Sequence, residues 1–366
     1  MSAPSSDIHP TTAPVVTGVH LVGSVNSPDA ESTFRAVAEH VGPLAHRIPD
    51  GEVGERFYWI QFQNFRFDAT AGLERVGEPG FMIRDLFDSR QLRIIEGVDA
   101  ASIVLPDLGY ASAALESYAT FRELRDAGVI APGTRFQVSL PTPIGVVGAF
   151  FRAEDRAAFE PVYERAMFAE LDRIVDGIPH GDLAIQWDNA VEFAILESSR
   201  VRTSPIESWF GDPLIGIVER AHRQIGAVPA GVEVGMHLCY GDVEEQHFVQ
   251  PDDTGTLAAV LAAVLDGAPR TIDFVHLPVP IERSDAAYFA PLADVDVPEE
   301  TELVLGLVHH EDGLPGALAR VEAARTALDR FGIATECGFG RGPADRTAPL
   351  LELHRQVAGA VDAEVA

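Results

Sequence analysis

Lysine is absent: all 27 basic residues among the 366 are arginine, set against 56 acidic residues, for a formal net charge of −29. Without lysine there can be no Schiff-base chemistry, no lysine-held pyridoxal phosphate and no P-loop. So acidic a chain repels phosphate backbones and anionic lipid, so neither nucleic acid nor a membrane surface is an expected partner. Cysteine is nearly absent too. Two residues, Cys239 and Cys337, cannot build a disulfide scaffold, which leaves buried thiols, one lone bridge, or chemistry. Long apolar runs are missing: no stretch of 18 apolar residues occurs, and the longest windows, such as 257–265, are too short to span a bilayer. Residues 1–14 are rich in Ser, Pro, Thr and Ala and lack an apolar segment of the secretory kind. They read as a disordered tail over 1–15, and a cytoplasmic location with reduced thiols is expected.

What is present is an alternation of strands and helices. Short β-rich runs fall at 18–24, 44–49, 136–140, 183–188, 232–239, 272–277, 302–308 and 333–337. Several are near-continuously apolar, as strands buried on both faces are. Helical periodicity fills the gaps at 30–40, 154–175, 213–225, 254–265, 315–330 and 348–361. Eight strands with intervening helices predict an α/β fold, a single (β/α)8 TIM-type barrel over residues 16–366. An open doubly wound sheet is the competing architecture, but no G-x-G-x-x-G follows the first run. The stretch 56–131 is too long for one connection, so extra helices, one over 112–126, are expected between strands 2 and 3.

Catalytic side chains of such a barrel sit at the C-terminal ends of its strands, so those ends carry the functional reading. His237 and Cys239 are spaced i, i+2, which on a strand places both on one face. Cys337 is expected at the end of the eighth strand. Strands five and eight are not neighbours, yet their ends converge on the barrel axis, and two thiolates with an imidazole suit zinc. The fourth position is open to His276, at the end of strand six, or to a substrate.

These strand ends resemble those of a family. His237-Leu238-Cys239-Tyr240, followed far downstream by Glu336-Cys337-Gly338, is similar to the H-x-C-Y and D-C-G elements of the catalytic barrel of cobalamin-independent methionine synthase and of the wider zinc-dependent alkyl-thiol transferases. Gly23-Ser24 resembles the family's I-G-S, Gly51-Glu52 its G-E, and Gln186-Trp187-Asp188 its Q-x-D-E-P strand end. The resemblance implies zinc held by His237, Cys239 and Cys337, with His276 where a ligating glutamate would align. It also implies substrate contacts from Ser24, Glu52 and Asp188, the carboxylates holding an α-ammonium. The chain departs from the pattern at Asn189, where the family has a second acid, and it has no room for the additional barrel of the folate-using enzymes.

The function expected is a zinc-dependent methyl or alkyl transfer in which a substrate thiolate attacks, or is released from, an alkyl carbon. Its partners are a small-molecule thiol and an alkyl donor, and a homodimer is possible for a barrel of this size. A lyase or hydrolase using zinc-bound water on the same barrel, or a thiol- or zinc-binding barrel without activity, is the alternative. His309 or His310, at the end of strand seven, and Asp188 are candidate proton-transfer groups. Arg341 and Arg56 are candidate anion contacts, because an anionic substrate group must meet arginine, histidine or backbone N–H groups. His247 could cover the site. The aromatics around Trp59 could line a hydrophobic pocket.

Overall fold

The computed structural model describes residues 15–365 apart from 79–81, 84, 201–205 and 242–246. The tail expected over 1–15 therefore lies, but for residue 15, outside the described residues. Eight strands form one parallel sheet: β1 (Val15–Val19), β2 (Arg47–Pro49), β3 (Arg135–Pro141), β4 (Leu183–Asn189), β5 (Glu233–Leu238), β6 (Phe274–Pro278), β7 (Glu302–Gly306) and β8 (Arg330–Ile333). Their order is β1-β8-β7-β6-β5-β4-β3-β2. Each strand thus lies beside its neighbours in sequence, as in a TIM-type barrel. The two edge strands approach each other through isolated parallel bridges, Val19 with Ala45 and Ser24 with Gly51.

The strands form where the sequence is apolar on both faces. All seven residues of β4 are buried, as a strand inside a ring of helices must be. The main outer helices are α1 (Ala30–His40), α2 (Tyr110–Asp126), α3 (Pro143–Phe150), α4 (Ala153–Gly177), α5 (Val191–Leu196), α6 (Pro213–Ala227), α7 (Gly255–Leu265), α8 (Gly313–Ala324) and α9 (Thr347–Val365). Local chemistry sets their starts. Asp29 caps α1 by accepting from the Ser32 N–H at 2.8 Å, and Asp212 caps α6 just before Pro213, a residue suited to a first turn. On α7, Leu257, Val260, Leu261 and Val264 share one buried face. Between β2 and β3 the chain forms a 3-10 segment (Gly54–Phe62), a short helix (Gln63–Asp68), two two-stranded antiparallel ribbons and then α2.

Two boundaries differ from the sequence reading in a way that matters. The first strand, expected over 18–24, is Val15–Val19, because that stretch pairs with Arg330–Ile333 of β8. Residues 20–24 continue as a buried segment inside the barrel. The last helix-to-strand switch comes earlier than expected: α8 ends at Ala324, and Arg330–Ile333 rather than 333–337 forms β8. Cys337 is therefore on the loop beyond β8, not on the strand.

The N-terminal end of the barrel is closed by a buried cation. Arg47 pairs with Glu233 at 2.5 Å and with Glu302 at 2.8 Å. Its guanidinium also lies 4.1 Å from the centroid of the Phe274 ring. One side chain thus ties β2, β5, β6 and β7 together, and the opposite end is left for the site.

Candidate metal centre

The C-terminal ends of β5 and β8 bring three donors together. Atoms of His237, Cys239 and Cys337 all lie within 4.8 Å of one another. His237 is the penultimate residue of β5, and Cys239 follows the strand by one residue. Both are buried, while Cys337 is half-buried. His237 Nε2 and Cys337 Sγ are 3.9 Å apart. The Cys239 sulfur accepts the backbone N–H of Gly241 at 3.2 Å, which fixes its position. Two sulfurs and an imidazole nitrogen are the donor chemistry of zinc, and three protein donors with one position left over is the pattern of catalytic rather than structural sites.

His276 is not one of the converging donors. Both its ring nitrogens are engaged: Nδ1 lies 2.8 Å from His237 Nδ1, and Nε2 lies 3.0 Å from the Thr335 carbonyl oxygen. Of the two candidates for the fourth position, His276 or a substrate, His276 stands one step behind the three converging donors. Burial pushes His276 down to about 3, and it pushes His237 well below the usual histidine range, with His276 and His20 adding to the effect. Both rings are neutral, as metal ligation and its support require.

On β4, next to His237 in register, stands Asp188. Gln186, two residues earlier on the same face, donates to its Oδ1 at 2.9 Å. Gln186 is fixed in turn by His20 at 2.9 Å and by the Val22 carbonyl at 2.6 Å. Burial raises the Asp188 carboxyl well above the carboxylate range. The charges of Glu52 and Cys337 push the same way, while hydrogen bonds from Gln186 and Trp59 oppose. The sequence had offered Trp59 only as one aromatic among several. In the structure its backbone is in the left-handed region, φ 51° and ψ −117°, at a cost of roughly 1–3 kcal/mol for a residue with a side chain.

Glu52 reaches the same region from the loop after β2. Its backbone is also left-handed, φ 51°, and is held by Asp50, whose Oδ1 accepts the Glu52 N–H at 3.0 Å. The other oxygen of Asp50 accepts from Arg56 at 2.5 Å and from Ser117 at 2.7 Å. Arg56 is therefore committed to Asp50 within the protein. Burial lifts the Glu52 carboxyl to about 7; Arg56 opposes, Asp50 adds, and Arg341 opposes. Glu52 lies over Gly23, where an added Cβ would stand 2.9 Å from Glu52 Oε1. Ser24, beside it, accepts the Gly340 N–H on its hydroxyl at 3.3 Å.

A cavity of about 280 Å³ opens beside the centre on the β7–β8 side, lined among others by Cys337, His309, His310, Arg341 and His247. His309 Nε2 donates to the Val279 carbonyl at 2.8 Å, and His310 is exposed. Neither belongs to the donor cluster. His247 pairs with Glu336 at 3.1 Å across this cavity. Sequence reasoning missed the supporting roles of Asp50, Gln186 and Thr335. Gln186 had a readable signal in its i, i+2 spacing from Asp188; the carbonyl of Thr335 had none.

No protein-family model and no curated protein sequence matches the chain. Among solved structures the fold is similar to that of a Listeria monocytogenes protein described as a candidate vitamin-B12-independent methionine synthase. The identity is 16% and the TM-score 0.54, over 96% of this chain and 99% of that one. A methyltransferase from Methanosarcina mazei is similar at 14% identity and a TM-score of 0.48, over 95% of each chain. At these identities the first likeness establishes a shared fold. No helix among the described residues is long and apolar enough to cross a membrane.

Proposed function

We propose that the chain is a zinc-dependent methyl or alkyl transferase acting on a small-molecule thiol. The observation that carries the proposal is the convergence of His237, Cys239 and Cys337 beside buried Asp188 and a cavity that Cys337 lines. Zinc bound there would supply the Lewis acidity that keeps a substrate thiol in its nucleophilic thiolate form at neutral pH. The fold shared with the Listeria protein supports the reading, and so does the match of the strand-end residues to the pattern of the alkyl-thiol transferases.

The protein's own groups divide the remaining work. The two cysteines and His237 would hold the metal, and as a three-donor set they would leave room for the substrate sulfur. Glu52 and Asp188, held by Asp50 and Gln186, would present carboxyl groups to a cationic part of the substrate such as an α-ammonium, whose charge would favour their ionised forms against the burial that raises both. The fixed second layer lets them orient that group without reorganising. His309, His310 and Arg341, lining the cavity, are placed to exchange protons or meet an anionic group on the second substrate.

The test is metal analysis followed by a thiol panel. Protein purified without chelators should hold close to one equivalent of zinc, and Cys239→Ser should lose most of it. The cobalt-substituted form should change its visible spectrum when a substrate-like thiol is added. Protein that retains under about a tenth of an equivalent defeats the metal reading. A cobalt spectrum indifferent to every thiol defeats the thiol-transfer reading.

A further inference from the structure

We infer that His276 is a positioning residue of the metal centre: it fixes the ring tautomer of His237 and ties the two ligand-bearing arms of the barrel to each other. The inference rests on the reading of His237, Cys239 and Cys337 as metal ligands and goes one layer behind it.

The hydrogen bonds run in one direction only. A carbonyl oxygen accepts and cannot donate, so the 3.0 Å contact with Thr335 O requires a proton on His276 Nε2. In a neutral ring that leaves His276 Nδ1 with a lone pair. The facing His237 Nδ1, 2.8 Å away, must then be the donor. Its proton is thereby placed on the side away from the cluster, and His237 Nε2, 3.9 Å from Cys337 Sγ, is left with the lone pair a metal needs. The other tautomer of His237 would set two lone pairs against each other at 2.8 Å and put a proton where the metal binds.

The same chain of contacts is mechanical. His276 is the register partner of His237 on the neighbouring strand, and it reaches past β7 to the backbone of Thr335, two residues before Cys337. That reach depends on Gly306 of β7. A Cβ there would lie 2.8 Å from His276 Nε2, 2.7 Å from Thr335 O and 2.8 Å from Glu336 Cα. Two of those neighbours are backbone and cannot swing away. The glycine thus opens the passage through which one imidazole links the His237 arm to the Cys337 arm. A ligating histidine whose second ring nitrogen is held by an acceptor is a general feature of metal sites, and loss of the acceptor typically weakens metal binding about 10–100-fold.

The experiment measures metal affinity on the full chain, wild type against His276→Phe and His276→Gln. Cobalt and zinc are titrated in competition with a chromophoric chelator. The expected result is a 10–100-fold weaker affinity for His276→Phe, with the sulfur-to-cobalt charge-transfer bands retained because both cysteines remain. His276→Gln, whose amide can accept from His237, should recover part of the loss. Wild-type affinity and an unchanged cobalt spectrum in both variants would overturn the inference. A wild type that binds no metal at all would instead overturn the reading on which it rests. Should His276→Phe fail to fold, nitrogen-15 histidine spectra of the metal-free wild type decide. A proton on His276 Nε2 and on His237 Nδ1 supports the inference, and a proton on His237 Nε2 refutes it.

Discussion

Ser24 and Gly338 meet so closely that a Cβ on the glycine would stand 2.3 Å from the serine hydroxyl oxygen and 2.8 Å from the serine nitrogen. The contact is not isolated. The Ser24 carbonyl accepts the Phe339 N–H at 2.9 Å, and its hydroxyl accepts from Gly340. The loop that begins at Cys337 is therefore laid along the segment that follows β1, and the position of one metal-ligand candidate is set from the neighbouring edge strand of the sheet. This gives a packing role to Ser24, which the sequence suggested only as a substrate contact.

Gly338→Ala should accordingly displace Cys337 rather than merely strain the loop. Overpacking of this kind typically costs about 1–3 kcal/mol, and here it bears on a residue adjacent to a ligand. Metal affinity should fall more steeply than thermal stability. Adding Ser24→Gly removes the nearest clashing atom but leaves the backbone nitrogen, so the double variant should recover part of the affinity. Metal titrations alongside melting curves check this. A Gly338→Ala protein with unchanged metal affinity would show that the loop adapts without moving Cys337.

Arg47 offers a control at the far end of the barrel. Arg47→Met removes the cation shared by Glu233 and Glu302 and leaves two half-buried carboxylates behind, of which Glu233 keeps Arg135 at 2.8 Å, so a loss of roughly 1.5–3 kcal/mol is expected. Metal affinity should not change, because the centre is at the opposite strand ends. The pH dependence follows from Glu302. Burial pushes its carboxyl up, but the charge and hydrogen bond of Arg47 and the hydroxyl of Thr17 outweigh this and hold it below the ordinary glutamate range. A carboxyl lowered in the folded state contributes stability that is complete above its unfolded value, about 4.3, and fades as the pH drops through the folded value. The gap in stability between wild type and Arg47→Met should therefore be widest near neutrality and narrow below about pH 4, as chemical denaturation across that range would reveal.

Much of this arrangement is legible in the amino-acid order, and the exceptions have physical causes. The buried parallel strands announce themselves as apolar runs: β4 at 183–189 falls within a residue of its expected span, and helix α1 over Ala30–His40 is where its capping aspartate places it. The donor trio is readable because strand alternation constrains His237 and Cys239, and because cysteine is too scarce for Cys337 to be one thiol among many. What is not readable depends on atoms that carry no side-chain signature. The Thr335 carbonyl determines what His276 does, and the same histidine would have looked like a ligand had that oxygen pointed elsewhere. The end of β8 is set by pairing with β1 and β7, a tertiary constraint that outweighs the apolar pattern continuing past Ile333. Trp59 takes a left-handed backbone that no sequence rule assigns to tryptophan.

The last prediction concerns Glu52, whose carboxyl titrates at about 7 chiefly through burial. An acid whose folded value is raised works against the fold once it ionises. The penalty is absent below its unfolded value, about 4.3, and is complete above about 7. Glu52→Gln should therefore be more stable than wild type at pH 8, with the advantage disappearing toward pH 4. Ligand binding runs the other way. Under the proposed function the ionised carboxylate holds a cationic group, so the preference for an amino thiol over the same thiol without its amine should rise as the pH is taken from 6 to 8. In Glu52→Gln that preference should be small and flat with pH. Calorimetric titration of the two thiols into the zinc-loaded protein at three pH values separates the outcomes. A wild type with no preference for the amine at any pH would remove Glu52 from substrate recognition while leaving the metal centre untouched, whereas a preference that falls with rising pH would mean the protonated carboxyl donates to the ligand.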